Sequence, residues 1–132
     1  MHAIEGNIKW IMLVVGLITC STLLVVISPQ AGLMSMFGAL PSALDEGVTQ
    51  ILVRNWGALI ALVGGMLIYA AFRPALRSFS IVVACISKAT FISLVLGFGG
   101  DYWDQALFAI VFDSAAIVIF LMYLFSTDSN QS

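Results

Sequence analysis

The stretch FSIVVACISKATFISLVLGF, residues 79–98, decides the fold of this chain. A membrane helix needs about 20 mostly apolar residues, and this stretch has that length and character. Lys88 lies at its centre, where a charged side chain is costly and usually faces the interior of a helix bundle. The stretch therefore predicts a membrane span, and Lys88 predicts a polar interior.

The composition of the whole chain is also typical of a membrane protein. Of its 132 residues, 61% are hydrophobic and 9% are charged, whereas about a quarter of the residues in a soluble domain are charged. Because so short a chain cannot bury this much apolar surface in one core, we expect the excess to face lipid. The formal net charge of -2, without a basic run, argues against nucleic-acid binding and against a polybasic lipid-binding patch.

Four stretches have the length and apolar character of membrane helices. They are residues 8–27, 51–72, 78–98 and 107–125. Because the last two links are short, consecutive spans are expected to be antiparallel. The predicted fold is all-α, an integral membrane up-down four-helix bundle that forms a single transmembrane domain over residues 1–132. The polar tail, residues 126–132, is predicted to be disordered.

Charged residues in the links predict the orientation of the bundle. Arg73 and Arg77 lie between the second and third spans, and short basic loops stay in the cytoplasm. The other two links are acidic and contain Asp45, Glu46, Asp101 and Asp104. Both termini are therefore expected to be cytoplasmic. The first apolar run is too long for a signal-peptide core and lacks a clear cleavage site, so we expect it to be retained.

Between the first two spans, residues 30–41 predict a short helix that lies at the outer membrane interface. Apolar residues recur there at helical spacing, namely Leu33, Met36, Phe37 and Leu40. The alternative is a plain loop with some apolar residues. Ser42 precedes Asp45 by three residues, which is typical of a helix N-terminus and predicts that the second helix begins near Ala43.

Polar residues within the spans define a candidate intramembrane site. They are Arg54, Asn55, Lys88 and Asp113, and we expect them to line a cavity that opens outward. At about 1.5 Å per residue, Lys88 lies about 15 Å and Asp113 about 9 Å below the outer ends of their spans. A long lysine side chain bridges such an offset. The hypothesis is an interior Lys88–Asp113 pair. The alternatives are a pair that only fixes helix register, and a lysine that reaches the interface alone or meets a partner subunit.

Small residues place two members of this site on packing surfaces rather than on lipid-facing surfaces. Arg54 shares a helix face with Gly57, Ala58, Ala61, Gly64 and Gly65, and Asp113 shares one with Ala106, Ala109 and Ala116. The link after the third span supplies a possible rim for the cavity, namely Asp101, Tyr102, Trp103 and Asp104. The alternative role for its aromatic residues is anchoring at the membrane interface.

No motif of a familiar catalytic or cofactor site occurs in the sequence. There is no phosphate loop, no HExxH and no Ser–His arrangement, and His2 is the single histidine. Cys20 and Cys85 lie in apolar runs without metal-site spacing, so we expect buried free thiols, no metal and no cofactor. An enzyme built on this chain would have to use a carboxylate, a lysine, a thiol or a cofactor held by a partner. The sequence leans against enzymatic activity.

The layout resembles the DoxX-like group of small four-helix bacterial membrane proteins. The resemblance rests on SALDEGVTQILVRNWGALIALVGGMLIYAAF, residues 42–72, in which Arg54 heads a glycine-rich helix, and on the basic turn RPALR, residues 73–77. It covers about residues 10–125. It implies a bundle in the inner membrane of a bacterium with an outward polar site that contains Arg54. Some members of the wider group are linked to quinone-coupled thiol or sulfur oxidation with a partner. Lys88 matches no fixed motif of the group.

Three functions follow from these observations and stay open. The first, which we favour, is an accessory or scaffold subunit that binds a larger membrane protein or a second copy within the lipid bilayer, because small-residue surfaces favour helix contacts. The second is a proton-coupled transporter of a small solute that uses Lys88 and Asp113. The first span, however, lacks the acidic residue on which small multidrug carriers depend. The third, based mainly on the resemblance, is the membrane subunit of a quinone-linked oxidoreductase.

Overall fold

The structure of the protein, a computed structural model, describes residues 2–37, 46–98, 100 and 103–129. This part of the chain is helical and contains no β-strand. The helices are α1 (His2–Cys20), α2 (Leu23–Ile27), α3 (Pro29–Phe37), α4 (Gly47–Ala71), α5 (Arg77–Phe98) and α6 (Trp103–Ser129). A 3₁₀ turn, Pro74–Leu76, joins α4 to α5.

Within these ranges, four helical stretches are long and apolar enough to cross a membrane. They are Gly6–Ile27, Gly47–Ala71, Pro74–Phe98 and Trp103–Ser129. Their outer faces carry large exposed apolar side chains such as Leu62, Phe79 and Phe125, which is expected of helices surrounded by lipid. An all-helical chain with four long apolar helices is therefore confirmed.

The first of these stretches is interrupted between α1 and α2. The N–H groups of Ser21 and Thr22 bond to the carbonyls of Ile18 and Thr19, three residues earlier, at 3.1 and 3.3 Å. Short hydroxyl side chains bond to nearby carbonyls and so compete with the regular helical pattern. The Thr22 hydroxyl lies 2.9 Å from Thr19 O. The sequence predicted one continuous span here, and the signal for a break was the run Cys20-Ser21-Thr22.

α3 follows in the first link and folds back onto α2. Gly32 permits this approach, since a Cβ at this position would lie 2.5 Å from Val25 Cγ2. Leu33 is buried, and the ring centroid of Phe37 lies 6.5 Å from that of Phe91 on α5. The predicted segment 30–41 is thus helical as far as Phe37, and its position at a membrane interface stays a prediction. Residues 38–45, with the predicted stripe residue Leu40 and the predicted helix start, lie outside the described residues.

The turn between α4 and α5 is set by proline and arginine. Pro74 disfavours helical backbone at the residue before it, and Arg73 has φ −129° and ψ 88°. Arg77 Nη2 donates to Ala71 O at 2.7 Å. This bond satisfies one of the last carbonyls of α4, which have no partner within the helix.

α6 is longer at both ends than the predicted span 107–125, since it begins at Trp103 and ends at Ser129. Residues 126–129, predicted as part of a disordered tail, are helical. The hydroxyls of Ser126 and Thr127 donate to Tyr123 O at 2.8 and 3.0 Å, so these polar side chains are satisfied within the helix. The rest of the predicted tail, 130–132, lies outside the described residues.

Apolar packing is concentrated at one end of the helices. The packed core consists of Ile8, Met12, Val15, Leu67, Ala70, Ala71, Ile81, Ala84, Ala116 and Phe120. These positions are early in α1 and α5 and late in α4 and α6. The opposite end contains the cavity described below.

Glycine allows α1 and α4 to approach closely above the packed core. A Cβ on Gly64 would lie 2.7 Å from Gly16 O. Further along, a Cβ on Gly57 would lie 2.9 Å from Thr22 O. Because the contacts advance along the first span as they retreat along α4, the two run in opposite directions.

Candidate functional site

Lys88 and Asp113 form an ion pair that joins α5 to α6. Lys88 Nζ donates a hydrogen bond to Asp113 Oδ1 at 2.6 Å. The two side chains are 7% and 14% exposed. A contact this short is typical of a charge-assisted hydrogen bond. The structure thus places the two residues in the contact that the sequence predicted, while their role in function stays a prediction.

Two further groups surround the ammonium of Lys88. Thr19 Oγ1 lies 3.4 Å from Lys88 Nζ and donates its own hydrogen to Val15 O at 2.7 Å. With its hydrogen engaged there, the hydroxyl presents a lone pair to the lysine. Nζ also lies 5.3 Å from the ring centroid of Phe112, within the range of a cation–π interaction. The charge of Lys88 is therefore compensated from α1 as well as from α6.

The ion pair lies at the wall of a cavity of about 400 Å³. Drug-sized ligands commonly bind in cavities of roughly 300–1,000 Å³. The wall is built by residues from all six helices. Its polar members are Thr19, Ser21, Thr22, Ser35, Ser87 and Gln105, in addition to the ion pair. Most of the remaining wall is apolar, with Met36, Ile60, Val63, Phe91, Phe108 and Phe112.

Arg54 is not among the described residues that line the cavity. Its Nη1 donates to Val26 O, in the last turn of α2, and its Nη2 donates to Gln50 Oε1 at 3.3 Å. A cation at a helix C-terminus compensates the partial negative charge of the unpaired carbonyls. Arg54 therefore joins α4 to α2 and does not meet the Lys88–Asp113 pair. The structure therefore does not bring Arg54 together with the ion pair at this cavity.

Asn55 is exposed and also lies away from the cavity wall. One residue of helix turns a side chain by about 100°, so the neighbour of a half-buried Arg54 points to another side. Asn55 is therefore not brought together with the ion pair.

The predicted rim is described only in part. Asp101 and Tyr102 lie outside the described residues. Trp103 Nε1 donates to Val95 O at 3.3 Å and so joins the start of α6 to α5. Asp104 is exposed in the first turn of α6, where a negative charge is favourable. Neither Trp103 nor Asp104 is among the residues that line the cavity.

The two cysteines are free thiols and lie beside the cavity rather than in its wall. Cys20 Sγ donates to Ala61 O at 3.4 Å, and Cys85 packs against the core. In the described part of the chain, no three His, Cys, Asp or Glu residues are grouped so that they could hold a metal ion.

Sequence reasoning overlooked Thr19, which is the residue of α1 that contacts Lys88. The signal was present as a spacing. Ile8, Met12, Val15 and Thr19 recur at four, three and four residues, and all four are buried. A hydroxyl that continues an apolar stripe of this kind faces the interior. Gln105 was overlooked because the predicted fourth span began two residues after it.

The arrangement offers three kinds of contact to a molecule in the cavity. The ion pair supplies a strong donor and a strong acceptor, the hydroxyls supply weaker polar contacts, and the aromatic and aliphatic side chains supply apolar surface. Such a wall fits a small amphipathic molecule whose polar end reaches Lys88 and Asp113.

Comparison with known proteins gives no relative for this chain. No protein-family model matches the sequence, no curated protein matches it at a significant level, and no solved structure does. The resemblance to DoxX-like proteins therefore stays a prediction.

Proposed function

We propose that this chain is a small multi-pass integral membrane protein that binds a small amphipathic molecule between its helices. The observation that carries this proposal is the buried Lys88–Asp113 pair at the wall of a cavity of about 400 Å³. Ionised side chains within membrane helices are costly and usually serve a function. A register-fixing role alone would need the pair but would not need the space beside it.

We infer that the helices form an up-down bundle with α3 at the outer interface and both termini in the cytoplasm. Support comes from the basic residues. Lys9 lies over the rings of Trp10 and Phe72, and Arg73 lies over Tyr69. These groups belong to the end with the packed core, and basic residues collect on the cytoplasmic side. The cavity then belongs to the outer half of the membrane, and the DoxX-like resemblance implies the inner membrane of a bacterium.

An accessory or scaffold role has less support than ligand binding. It was inferred from the small residues of α4, which favour contact between helices. Two of them, Gly57 and Gly64, contact α1 and α2 of the same chain. Ala58 and Gly65 are exposed, so these two positions are what remains of this surface for a partner protein or a second copy.

A proton-coupled carrier is a second candidate, and one observation favours it. The break between α1 and α2 lies at the cavity, since Ser21 and Thr22 line it. Interrupted membrane helices next to a binding site are typical of transporters. A carrier would bind the same ligand as a binding protein, and it would also move that ligand across proteoliposome membranes.

The proposal is tested by filling the cavity and examining the protein as extracted from its membrane. Ala109 lines the cavity, whereas Ala115 is exposed on the same helix. Ala109→Phe and Ala115→Phe are therefore matched variants of one residue type. In native mass spectra we expect a bound small molecule in the wild type and in Ala115→Phe, and none in Ala109→Phe. A bound species that survives Ala109→Phe unchanged would contradict the proposal.

A further inference from the structure

We propose that the cavity binds a lipophilic carboxylic acid together with its proton, and that the carboxylate of the ligand takes the place of Asp113 at Lys88. This inference rests on the proposed function and adds the chemical class of the ligand. It follows from the ammonium, the carboxylate and the apolar surface that meet at the cavity wall.

Lys88 has hydrogen-bonding capacity left for a ligand. An ammonium group has three N–H donors, and the described residues offer it two acceptors, Asp113 Oδ1 at 2.6 Å and Thr19 Oγ1 at 3.4 Å. The second contact is long and therefore weak. Because Lys88 lines the cavity, an acceptor that enters there meets this donor. A carboxylate is an acceptor that an ammonium binds strongly.

The apolar side chains in the rest of the wall favour a lipophilic acid. Phe91, Phe108 and Phe112 line the cavity together with Met36 and other apolar residues. The rings of Phe108 and Phe112 are stacked, with centroids 6.3 Å apart. A small hydrophilic anion would leave the apolar surface of the wall uncovered. An alkyl or aryl group attached to the carboxyl would cover this surface and exclude water from it.

The charge balance requires a proton to enter with the ligand. Among the described residues that line the cavity, Lys88 and Asp113 alone are charged, so the wall is neutral. An added anion would leave a negative charge uncompensated in a largely apolar site, which is very costly. Arg54 does not compensate this charge, because its guanidinium is bonded to Val26 O.

The remaining groups do not compensate an added charge either. Glu46 and Asp104 are exposed at helix starts. The thiols of Cys20 and Cys85 do not line the cavity. The helices α2 and α3 carry no titratable side chain, and the other charged side chains described lie at the end with the packed core.

Proton transfer to Asp113 resolves the charge balance. The O–H bond of the acid breaks, an O–H bond forms on the Asp113 carboxylate, and Lys88 keeps its protons. The receiving atom is Oδ2, which makes no hydrogen bond to the described residues. The ammonium then pairs with the ligand carboxylate, the protonated Asp113 is neutral, and the net charge of the site stays zero.

The experiment compares decanoic acid, labelled with ¹³C in its carboxyl group, with decanol. Binding to the protein in lipid nanodiscs is measured by calorimetry, with empty nanodiscs as the blank. Between pH 7.5 and 6.5 we expect the affinity for decanoic acid to rise about tenfold and the affinity for decanol to stay constant, because one proton enters with each molecule of the acid. Since the acid is ionised in the buffer, about one proton should be taken up per molecule bound.

Variants separate the partner exchange from simple binding of the neutral acid. Asp113→Asn cannot accept the proton, so it should bind decanoate without proton uptake. Lys88→Met with Asp113→Met removes both charges, so any decanoic acid that it binds should stay protonated. Infrared difference spectra of the wild type should show an ionised ¹³C-carboxylate together with a new protonated carboxyl signal that Asp113→Asn lacks.

The outcomes distinguish this inference from the proposed function. A decanoic acid affinity that does not change with pH, or a ¹³C-carboxyl group that stays protonated when bound, would overturn the exchange at Lys88 and leave the binding site intact. Failure of both probes to bind above the blank would overturn the proposed function as well.

Discussion

Gly16 and Gly64 meet backbone to backbone, and each excludes a side chain at the other. A Cβ on Gly64 would lie 2.7 Å from Gly16 O, and one on Gly16 would lie 2.8 Å from Gly64 O. Backbone atoms cannot move aside as a flexible side chain can. The separation of α1 from α4 therefore depends on these two residues.

Gly64→Ala should destabilise the protein by about 1–3 kcal/mol, since an added methyl group in a packed contact forces the helices apart. Gly65→Ala is the matched control. It lies at the next position, is exposed, and has nothing within 4 Å of its Cβ position. It should be neutral or stabilising by up to about 1 kcal/mol through helix propensity. Unfolding in mixed micelles measures both variants, and equal effects would show that the contact is looser than described.

Removing one partner of the Lys88–Asp113 pair should cost far more than removing both. Asp113→Asn leaves the ammonium without its main partner, at a cost of about 3–5 kcal/mol. The double variant Lys88→Met with Asp113→Met should be near the wild type or above it, because well-packed apolar residues often replace a buried pair without loss. The exchanged pair, Lys88→Asp with Asp113→Lys, should also fold. A double-mutant cycle on micellar unfolding measures these effects, and additive costs would contradict the coupling.

Arg54 should contribute to stability and not to ligand binding. Arg54→Met removes the bond to Val26 O, and a hydrogen bond from a charged group is worth about 1.5–3 kcal/mol. Arg73→Met is the control, since this exposed arginine has a cation–π contact at 5.6 Å from Tyr69, worth about 0.5–1 kcal/mol. Unfolding and decanol binding are measured in parallel. Weakened decanol binding in a folded Arg54→Met would contradict this assignment.

The orientation predicted from the basic residues is tested by labelling in intact cells. Asp104→Cys should react with a membrane-impermeant maleimide, whereas Arg73→Cys should react only after the membrane is permeabilised, because basic ends stay in the cytoplasm. Both native cysteines are replaced by alanine in these variants. The reverse pattern would place the cavity in the cytoplasmic half.

The elements that the sequence predicted well are those that depend on composition and local spacing. Long apolar runs separated by charged links identified four helices. The contact between Lys88 and Asp113 was predictable because an unpaired charge in lipid has a high free energy. Sequence reasoning could not separate Arg54 and Asn55 from the cavity wall, because the residues that line a cavity depend on helix rotation and register, which distant packing contacts determine. Gly16–Gly64 is such a contact. The break at Ser21–Thr22 and the helical residues 126–129 depended on hydroxyl–carbonyl bonds, which a hydropathy pattern does not represent.

The packed core and the cavity differ in how readily they accept changes of sequence. Where Met12, Leu67 and Phe120 interlock, a change in one side chain requires matching changes in its neighbours. Around the cavity, Ile60 or Ala109 has room to change size alone. Single substitutions there can adapt the chain to a new ligand while membrane insertion and helix pairing stay as they are.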